Sequence, residues 1–476
     1  MSLATQPPRG LSHDEFVTMS STERPRPIVI VGGGFSGLAV ATRLLRALPA
    51  RHSVLLYERA HAFGRGLAYS TANPDHLLNL RASHMSAEPD HAADFAEWLA
   101  RSDFDADERA GIRVTEAGTF AARGLFGRYL SERLARLAEE RQDRLTLVRE
   151  AIIDLEPAPG GFVAHRAGGG RIPIAGAVLA MGNLAGPVAA RSRHQRDPWN
   201  PDGLVGLDSG RDVLIVGTGL TMMDSVATLR RQGFVGRIVA VSRRGLVPKP
   251  HAAVPIWPRP DLDSETRASV RKLLAWGRAE IASAREAGAD WRSVVDALRP
   301  ITDDLWAGLP RPEQARFLRH LRPYWDVHRH RTAPPAAQAI AEEVARGSLV
   351  VLAGRIRSVE DGADGARVEI QPRGHRETLR IDAQAILDAT GFSRLAETQD
   401  PLVRNLMARG LVRPGPFGLG LDATPEGRTI APGGDAPLWA VGPLLRGVLW
   451  ECIAVPDIRD ASVGLAESIA SHLAQA

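Results

Sequence analysis

Pro27-Ile-Val-Ile-Val31 runs straight into Gly32-Gly33-Gly34-Phe35-Ser36-Gly37 and then into a helical pattern, Leu38 to Leu48, stopped by Pro49. An apolar run of strand length that meets Gly-x-Gly-x-x-Gly and opens a helix is the context that gives this spacing a physical meaning. Gly32 permits a tight turn, Gly34 lets the backbone approach a bulky anion, and Gly37 lets helix and strand pack. The helix N-terminus, with Phe35 and Ser36 in its first turn, offers unpaired N–H groups and a partial positive charge. A second strand, Ser53-Val-Leu-Leu-Tyr57, ends on Glu58 and Arg59, with Glu58 21 residues after Gly37.

Such a turn suits the pyrophosphate of a dinucleotide. A carboxylate at the end of the second strand accepts hydrogen bonds from a ribose with a free 2′-OH, which suits FAD or NAD and disfavours NADP. An ordinary Gly-rich strand-to-helix turn is the competing reading, and the combination of strand, helix and acid argues against it. Beyond it, Leu145 to Leu155, including Ile152, reads as a strand. Gly-rich turns at Pro159–Gly161 and Gly168–Gly170 suggest an antiparallel meander, and Ala177-Val-Leu-Ala-Met181-Gly182 closes the unit.

The same order of elements recurs. Asp212-Val-Leu-Ile-Val216 meets Gly217-Thr218-Gly219-Leu220-Thr221, with Met222 where the third glycine belongs, and a helix runs through Leu229. Its second strand, Arg237-Ile-Val-Ala-Val241, ends on Ser242-Arg243-Arg244 in place of an acid. Guanidinium groups there pair with a 2′-phosphate, although in so arginine-rich a chain a pair of solvated surface arginines is the alternative. A meander-like stretch, Leu349 to Arg380, leads to Ala385-Ile-Leu-Asp-Ala-Thr390-Gly391. One acid-terminated and one arginine-terminated site predict FAD in the first unit and NADPH in the second. Between them, 264–345 is rich in helix formers and follows a linker carrying Pro248, Pro250, Pro255, Pro258 and Pro260.

The expected fold is therefore α/β, with two Rossmann-like dinucleotide-binding domains. An FAD-binding domain spans 27–205 and resumes at 381–476. An NADPH-binding domain spans 206–380, with a helical insertion at about 261–345. Met1–Arg26 lacks an apolar core and is expected to be a disordered leader rather than a secretory signal. A hydrophobic fraction of 44% and a charged fraction of 24% are those of a globular protein. The +4 net charge is small and spread out, and Lys249 and Lys272 are the only lysines. No basic run interleaved with aromatics points to nucleic acid. No stretch approaches the ~20 apolar residues that span a bilayer. The single cysteine, Cys452, excludes an intramolecular disulfide and a dithiol relay. A cytoplasmic protein without nucleic-acid or membrane partners is expected.

Several separated stretches carry a family likeness: Gly66-Leu-Ala-Tyr-Ser70, His76-Leu-Leu-Asn79, Phe126-Gly-Arg-Tyr-Leu130, Asp197-Pro-Trp199 and Gly217-Thr-Gly-Leu-Thr221 with Asp224. Tyr324-Trp-Asp-Val-His-Arg-His-Arg331 and Gly442-Pro-Leu-Leu-Arg-Gly447 through Glu451 to Arg459 complete it. Over residues 27 to about 465 the chain resembles bacterial FAD/NAD(P)-binding oxidoreductases of the two-dinucleotide-binding-domain group, related to flavin-dependent N-monooxygenases. The resemblance implies that Gly66–Met85, with Leu78, Asn79, His84 and Met85, lines the flavin ring. It also implies that Gly442 and a helix near Glu451 bring N–H groups to the ribitol and pyrimidine edge, and that Ala389-Thr390-Gly391-Phe392 is a linker motif of flavin monooxygenases. Pro443 stands where many relatives carry an acid. The Phe-x-Gly-x-x-x-His signature of typical flavin monooxygenases is missing.

Outside these motifs, His328-Arg329-His330-Arg331 has no carboxylate or cysteine at ligand spacing, so no metal is expected. Arg329 and Arg331 either bind a substrate carboxylate or form a charged helix end, and His84 is either near the flavin or structural. The expectation is a monooxygenase that hydroxylates an amine or amino acid, with NADPH, O2 and a flavin C4a-(hydro)peroxide. The alternatives are an NADPH-dependent flavin reductase without oxygen insertion and an FAD-binding sensor or partner protein.

Overall fold

The computed structural model describes residues 25–60, 62–101, 103–184, 192–391, 395–434 and 436–475. Apart from Pro25 and Arg26, the expected leader lies outside them, as does Phe392.

The first sheet has five parallel strands in the order Leu438–Ala440, Gly176–Leu179, Ile28–Val31, Val54–Tyr57 and Leu145–Val148. Its first four strands are buried on both faces, as a parallel sheet covered on both sides must be, and so read as unbroken apolar runs rather than alternations. One face carries the helix Phe35–Ala47 and the C-terminal helix Val455–Gln475, whose Ile458, Leu465 and Ile469 share a core with Leu38, Val40 and Leu44. The other face rests on an antiparallel meander of Ile152–Ala158, Gly161–Arg166 and Arg171–Ile174. The stretch expected as one strand from Leu145 to Leu155 is therefore two. The first half joins the parallel sheet and the second, after Arg149–Ala151, starts the meander.

The second sheet runs Gln195–Arg196, Leu379–Asp388, Asp212–Val216, Ile238–Ser242, Leu349–Asp361 and Ala366–Pro372. Its first five strands are parallel, and the long ends of Leu349–Asp361 and Leu379–Asp388 both pair antiparallel with Ala366–Pro372. This sheet extends past both ends of the span 206–380 expected for it. Gln195–Arg196 belongs to it, and the expected boundary at 380/381 falls inside the strand Leu379–Asp388. No local feature marks that strand as part of one sheet or the other; its pairing with Asp212–Val216 decides.

The expected insertion is helical throughout: Ser264–Arg267, Val270–Glu286, Trp291–Leu298, Thr302–Gly308, Arg311–His320, Arg322–Arg329 and Pro334–Ala345. The last of these is the crossover of the second sheet. Parallel neighbours Ile238–Ser242 and Leu349–Asp361 need a return segment, and Ile340 packs into the core of that sheet with Val213, Ile215 and Leu349.

Two polar clasps fix the two halves. His76 Nε2 lies 3.0 Å from Asp224 O and 2.8 Å from Thr228 Oγ1, on the helix Leu220–Arg231, and Arg123 pairs with Asp224 at 3.0 Å. On the other side Arg81 Nη2 donates to Ala252 O (2.9 Å), and His251 Nε2 bonds Asn79 O (2.9 Å).

Candidate functional site

At the first turn Gly32 has φ +109°, and a Cβ there would overlap the Ala180 carbonyl. A Cβ on Gly37 would overlap the carbonyl of Gly32, so the third glycine lets helix and turn touch. Gly34 caps the helix Phe35–Ala47 with no side-chain hydrogen bond, and the first turn contains no acid. Its N–H groups are thus left to an incoming anion. Glu58 is buried; Oε2 accepts from Gly33 N–H and Oε1 from Ala60 N–H, both at 2.9 Å. Arg59 points away to Asp400 (2.7 Å). Gly442 meets Ser36, whose Oγ would lie 3.0 Å from a Cβ on the glycine. Met181 and Gly182 follow the Ala180 carbonyl that Gly32 touches.

The loop after Glu58 is locked onto the helix Arg123–Glu140. Cβ atoms at Gly64 and Gly127 would strike the backbones of Leu130 and Tyr69. Phe126, Tyr129 and Leu130 are fully buried. Gly66 in turn faces Gly34, its Cα 3.3 Å from where a Gly34 Cβ would stand. The motif at Phe126–Leu130 therefore holds the loop opposite the first turn.

At the second turn Gly217 has φ +121° and abuts the carbonyl of Ala389. Gly219 caps the helix Leu220–Arg231, again without a side-chain bond, and faces open space. Thr218 is buried, its hydroxyl 2.9 Å from Ser242 Oγ and donating to Leu246 O (2.6 Å). Thr221 O accepts from Ser225 Oγ (2.8 Å). Beyond Ser242 lies a cavity of about 530 Å3 lined by six arginines: Arg243, Arg244, Arg319, Arg355, Arg357 and Arg373. Arg244 stacks over Tyr324 (5.0 Å) and donates to its hydroxyl (3.2 Å). The insertion thus reaches this cavity too. Thr390 folds back on Asp388 Oδ1 (2.6 Å from Oγ1), and Gly391 has φ +90° at the same sheet edge.

Several expected residues sit differently from the sequence reading. Leu78 and Met85 are 2% exposed and belong to the core beneath the helix Phe35–Ala47, and Ile152 is buried against the first sheet, so their side chains line no cleft. Arg329 and Glu451, expected in separate roles, form one buried bidentate pair at 3.0 and 2.8 Å. Glu451 precedes the helix Val455–Gln475 rather than lying in one. Its N–H and that of Trp450 both donate to Asp303 Oδ1, at 2.8 and 2.7 Å, and so are not free for a cofactor. Burial pushes the carboxyls of Glu451 and Asp303 up, against the lowering pull of Arg329 on the first. The segment Tyr324–Arg331 thus forms no solvent-facing charged helix end: Arg329 is buried and taken up by Glu451, and Asp326 pairs with Arg322 just before the segment.

Arg331 is the exception. It is 3% exposed and pairs with Asp296 through Nη2, while Nε and Nη1 have no partner. His251, beside it, bonds Asn79 O through Nε2 and leaves a buried Nδ1 unpartnered. Burial first, then Arg331, pulls the His251 pKa down to about 3. Asn79 is half-buried, and its side-chain amide has no partner among the described residues. His84 is exposed next to Ser83 (3.1 Å); desolvation, then Arg81 and Arg299, lower its pKa. His251 was missed because a lone histidine in a proline-rich linker carries no motif. Four of the six cavity arginines were missed because they come from elements far from the second turn in sequence. Burial keeps Cys452 a protonated thiol. Among the described residues no three His, Cys, Asp or Glu side chains could share a metal, and no helix is long and apolar enough to cross a membrane.

One parallel and one mainly parallel sheet with matching glycine turns, the first carrying a meander and the C-terminal strand and the second a helical insertion, define the fold of two-dinucleotide-binding-domain flavoproteins. Residues 29–184 match the family model described as FAD-NAD(P)-binding. Ornithine hydroxylase from Pseudomonas aeruginosa superposes with a TM-score of 0.59 at 14% identity, over 94% of this chain and 100% of its own. The ornithine N-hydroxylase of Kutzneria sp. 744, in complex with reduced FAD, NADP+ and L-ornithine, gives 0.60 at 13% over 94% and 100%. L-lysine 6-monooxygenase from Pseudomonas syringae gives 0.60 at 14% over 94% and 99%. No curated protein matches the sequence.

Proposed function

We propose that the protein is an NADPH-dependent flavoprotein monooxygenase that hydroxylates the nitrogen of a small amine or amino acid. One contrast carries the reading: two turns of matching stereochemistry end on unlike charges, a buried carboxylate at Glu58 and a six-arginine cavity beginning at Arg243. FAD fits the first turn. Gly34 leaves room for its pyrophosphate, Gly32 and Gly37 let the turn and its helix close, the helix N-terminus at Phe35 and Ser36 favours the anion, and Glu58 stands at the strand end where a ribose is recognised. NADPH fits the second, over Gly217–Thr221, with Arg243 and Arg244 at the 2′-phosphate.

The bound flavin supplies hydride acceptance and activation of O2; the chain's residues bind, orient and exclude water. Arg331 offers its two open nitrogens to a substrate carboxylate, since buried donors without partners are costly unless a ligand fills them. Asn79 stands at the same junction, its backbone carbonyl bonded to His251. His84, held neutral by its lowered pKa, accepts the proton that a substrate ammonium must shed before its nitrogen can attack.

The test is anaerobic reduction of the flavoprotein by NADPH, followed by an O2 pulse with spectra and product analysis. L-ornithine and L-lysine, the substrates named for the structural neighbours, come first. Hydroxylated amine in proportion to NADPH is the expected result. Peroxide equal to NADPH consumed, with no hydroxylated product from any amine tried, establishes instead the flavin reductase favoured by the missing Phe-x-Gly-x-x-x-His signature.

A further inference from the structure

The cavity beyond Ser242 holds more positive charge than one phosphate group uses. Its volume of about 530 Å3 lies within the range of sites that take whole small molecules. Its arginines come from three walls. Arg243 and Arg244 follow the strand end at Ser242, and Arg319 comes from the helix Arg311–His320. Arg355, Arg357 and Arg373 belong to the antiparallel arm of Leu349–Asp361 and Ala366–Pro372 and the turn after it. A 2′-phosphate carries about two negative charges at neutral pH, which Arg243 and Arg244 match. The guanidiniums of the other two walls are left over.

Two further observations mark this charge as arranged for a ligand. None of the six guanidiniums has a carboxylate partner among the described residues, in a chain whose arginines elsewhere repeatedly pair with Asp or Glu. Those that are held are held by neutral groups. Arg244 is engaged by the ring and hydroxyl of Tyr324, and Arg357 by Gln371 Oε1, which accepts from Nε at 2.8 Å. Such partners orient a guanidinium and leave its charge intact. The second observation is a bulge: the ladder between the two strands of the arm shifts register between Ile356 and Ser358, so Arg357 is the extra residue of its strand. A bulge re-aims the residue it adds, and Arg357 lines the cavity together with Arg355. Like charges gathered in one cleft repel, and an anion that spans the walls relieves the repulsion. Arg243, Arg319, Arg355, Arg357 and Arg373 are exposed, so such an anion reaches them directly from solvent.

We propose that this cavity also binds a polyphosphate: a short chain of linked phosphates, free or carried by a nucleoside, bridges Arg355, Arg357 and Arg373 to the strand-end pair and displaces the 2′-phosphate of NADPH. The proposal rests on the assignment of Arg243 and Arg244 to that 2′-phosphate. Linked phosphates suit the site because each offers oxygens to the forked donors of arginine, and successive groups reach separate walls. A lone phosphate or carboxylate reaches one wall only. Occupancy acts on the choice of reductant. NADPH loses the contacts that select it, and NADH, which has no 2′-phosphate, loses none.

Calorimetric titration of the full flavoprotein with tripolyphosphate, without divalent cations and at ionic strength held constant with KCl, tests the proposal. One-to-one binding is expected, at least tenfold tighter than that of orthophosphate and weakened at least tenfold by Arg355→Ala or by Arg373→Ala. In steady-state assays tripolyphosphate should raise KM for NADPH without lowering kcat, and leave KM for NADH unchanged. A tighter complex with ATP identifies a nucleoside triphosphate as the source, and a tighter one with tripolyphosphate a free chain; either supports the site. Absence of saturable binding, affinity equal to that of orthophosphate, or equal binding by wild type and both variants overturns the proposal. So does equal inhibition with NADH, which puts the chain over Gly217–Thr221, where both nucleotides carry their own pyrophosphate. Binding that the variants weaken but that leaves KM for NADPH untouched removes the 2′-phosphate from this cavity and leaves the polyphosphate site standing. Preference for NADPH without polyphosphate binding does the reverse.

Discussion

The two glycine turns are nearly the same backbone put to different uses. Gly32 and Gly217 have φ of +109° and +121°, and Gly34 and Gly219 cap their helices at ψ −163°. Ala180 and Ala389 close on them from the strand that follows each meander. They part at the third position and at the neighbouring strand end. Gly37 lets its helix touch the turn, whereas Met222 is fully buried among Val213, Ile215 and Val226 and its N–H bonds Gly219 O in a tighter first turn. Glu58 stands where the second half has Ser242, and Ser242 is engaged with Thr218. In the proposed reading the backbone recognises what all dinucleotides share, and the side chains at the strand end recognise what distinguishes them.

The largest expected effect breaks the comparison at its common part. Gly34→Val places a branched side chain between the first turn and Gly66, and the protein should purify colourless. Gly219→Val faces open space, so that variant should fold and stay yellow while its affinity for NADPH falls about a hundredfold, about 2.7 kcal/mol. Flavin absorbance and nucleotide titration read both, and a yellow Gly34→Val protein with full flavin content puts the cofactor elsewhere.

Arg329→Ala comes next, because it strands Glu451 as an uncompensated buried charge at a cost of about 3–5 kcal/mol. Urea unfolding should show the loss, and the double change Arg329→Met with Glu451→Leu should recover most of it. An unchanged midpoint in the single variant would mean that this pair does not tie the insertion to the first half.

Arg243→Ala sharpens the contrast of strand ends. Loss of one charge-assisted contact costs about 1.5–3 kcal/mol, ten- to a hundredfold in kcat/KM for NADPH, with NADH unaffected. Wild-type protein using both nucleotides equally would show that the arginine cavity reads no 2′-phosphate.

The smallest effect concerns the clasps between the halves. His76 and His251 both have pKa values lowered by burial, the second to about 3. His251 stays neutral in the folded chain over this range and His76 takes up its proton at lower pH than in the unfolded chain, where both protonate near 6.5. Stability is therefore complete above pH 6.5 and declines as pH falls below it, by up to about 1.4 kcal/mol per pH unit for each group. Unfolding midpoints measured from pH 7.5 to 4.5 should fall accordingly, and a flat profile would mean that the clasps are open in solution.

What could be read from sequence was local. Each strand, turn and helix at Pro27–Leu48 and Asp212–Leu229 lies within a few residues of its partners, and the helical insertion declares itself by composition. The Arg329–Glu451 pair joins residues 122 apart, and nothing in either neighbourhood signals the other. The arginine cavity draws on two turns, two helices and two strands. Leu78 and Met85 lie in the loop that the family likeness singles out, but which way their side chains point depends on how that loop packs against the helix Arg123–Glu140. A family likeness locates a segment and leaves the direction of each side chain to tertiary packing.

The strand Gln195–Arg196 pairs in parallel with Leu379–Asp388, Gln195 beside Ile386 and Arg196 beside Leu387. The chain thus goes into the second sheet and comes out of it through adjacent strands, about 4.8 Å apart. In genetic terms, everything between is a cassette: replacing it requires joining ends that already lie side by side. Exchange of that cassette alone could give one flavin-binding half a different reductant, or a different set of insertion helices, with every strand of the first sheet left in register.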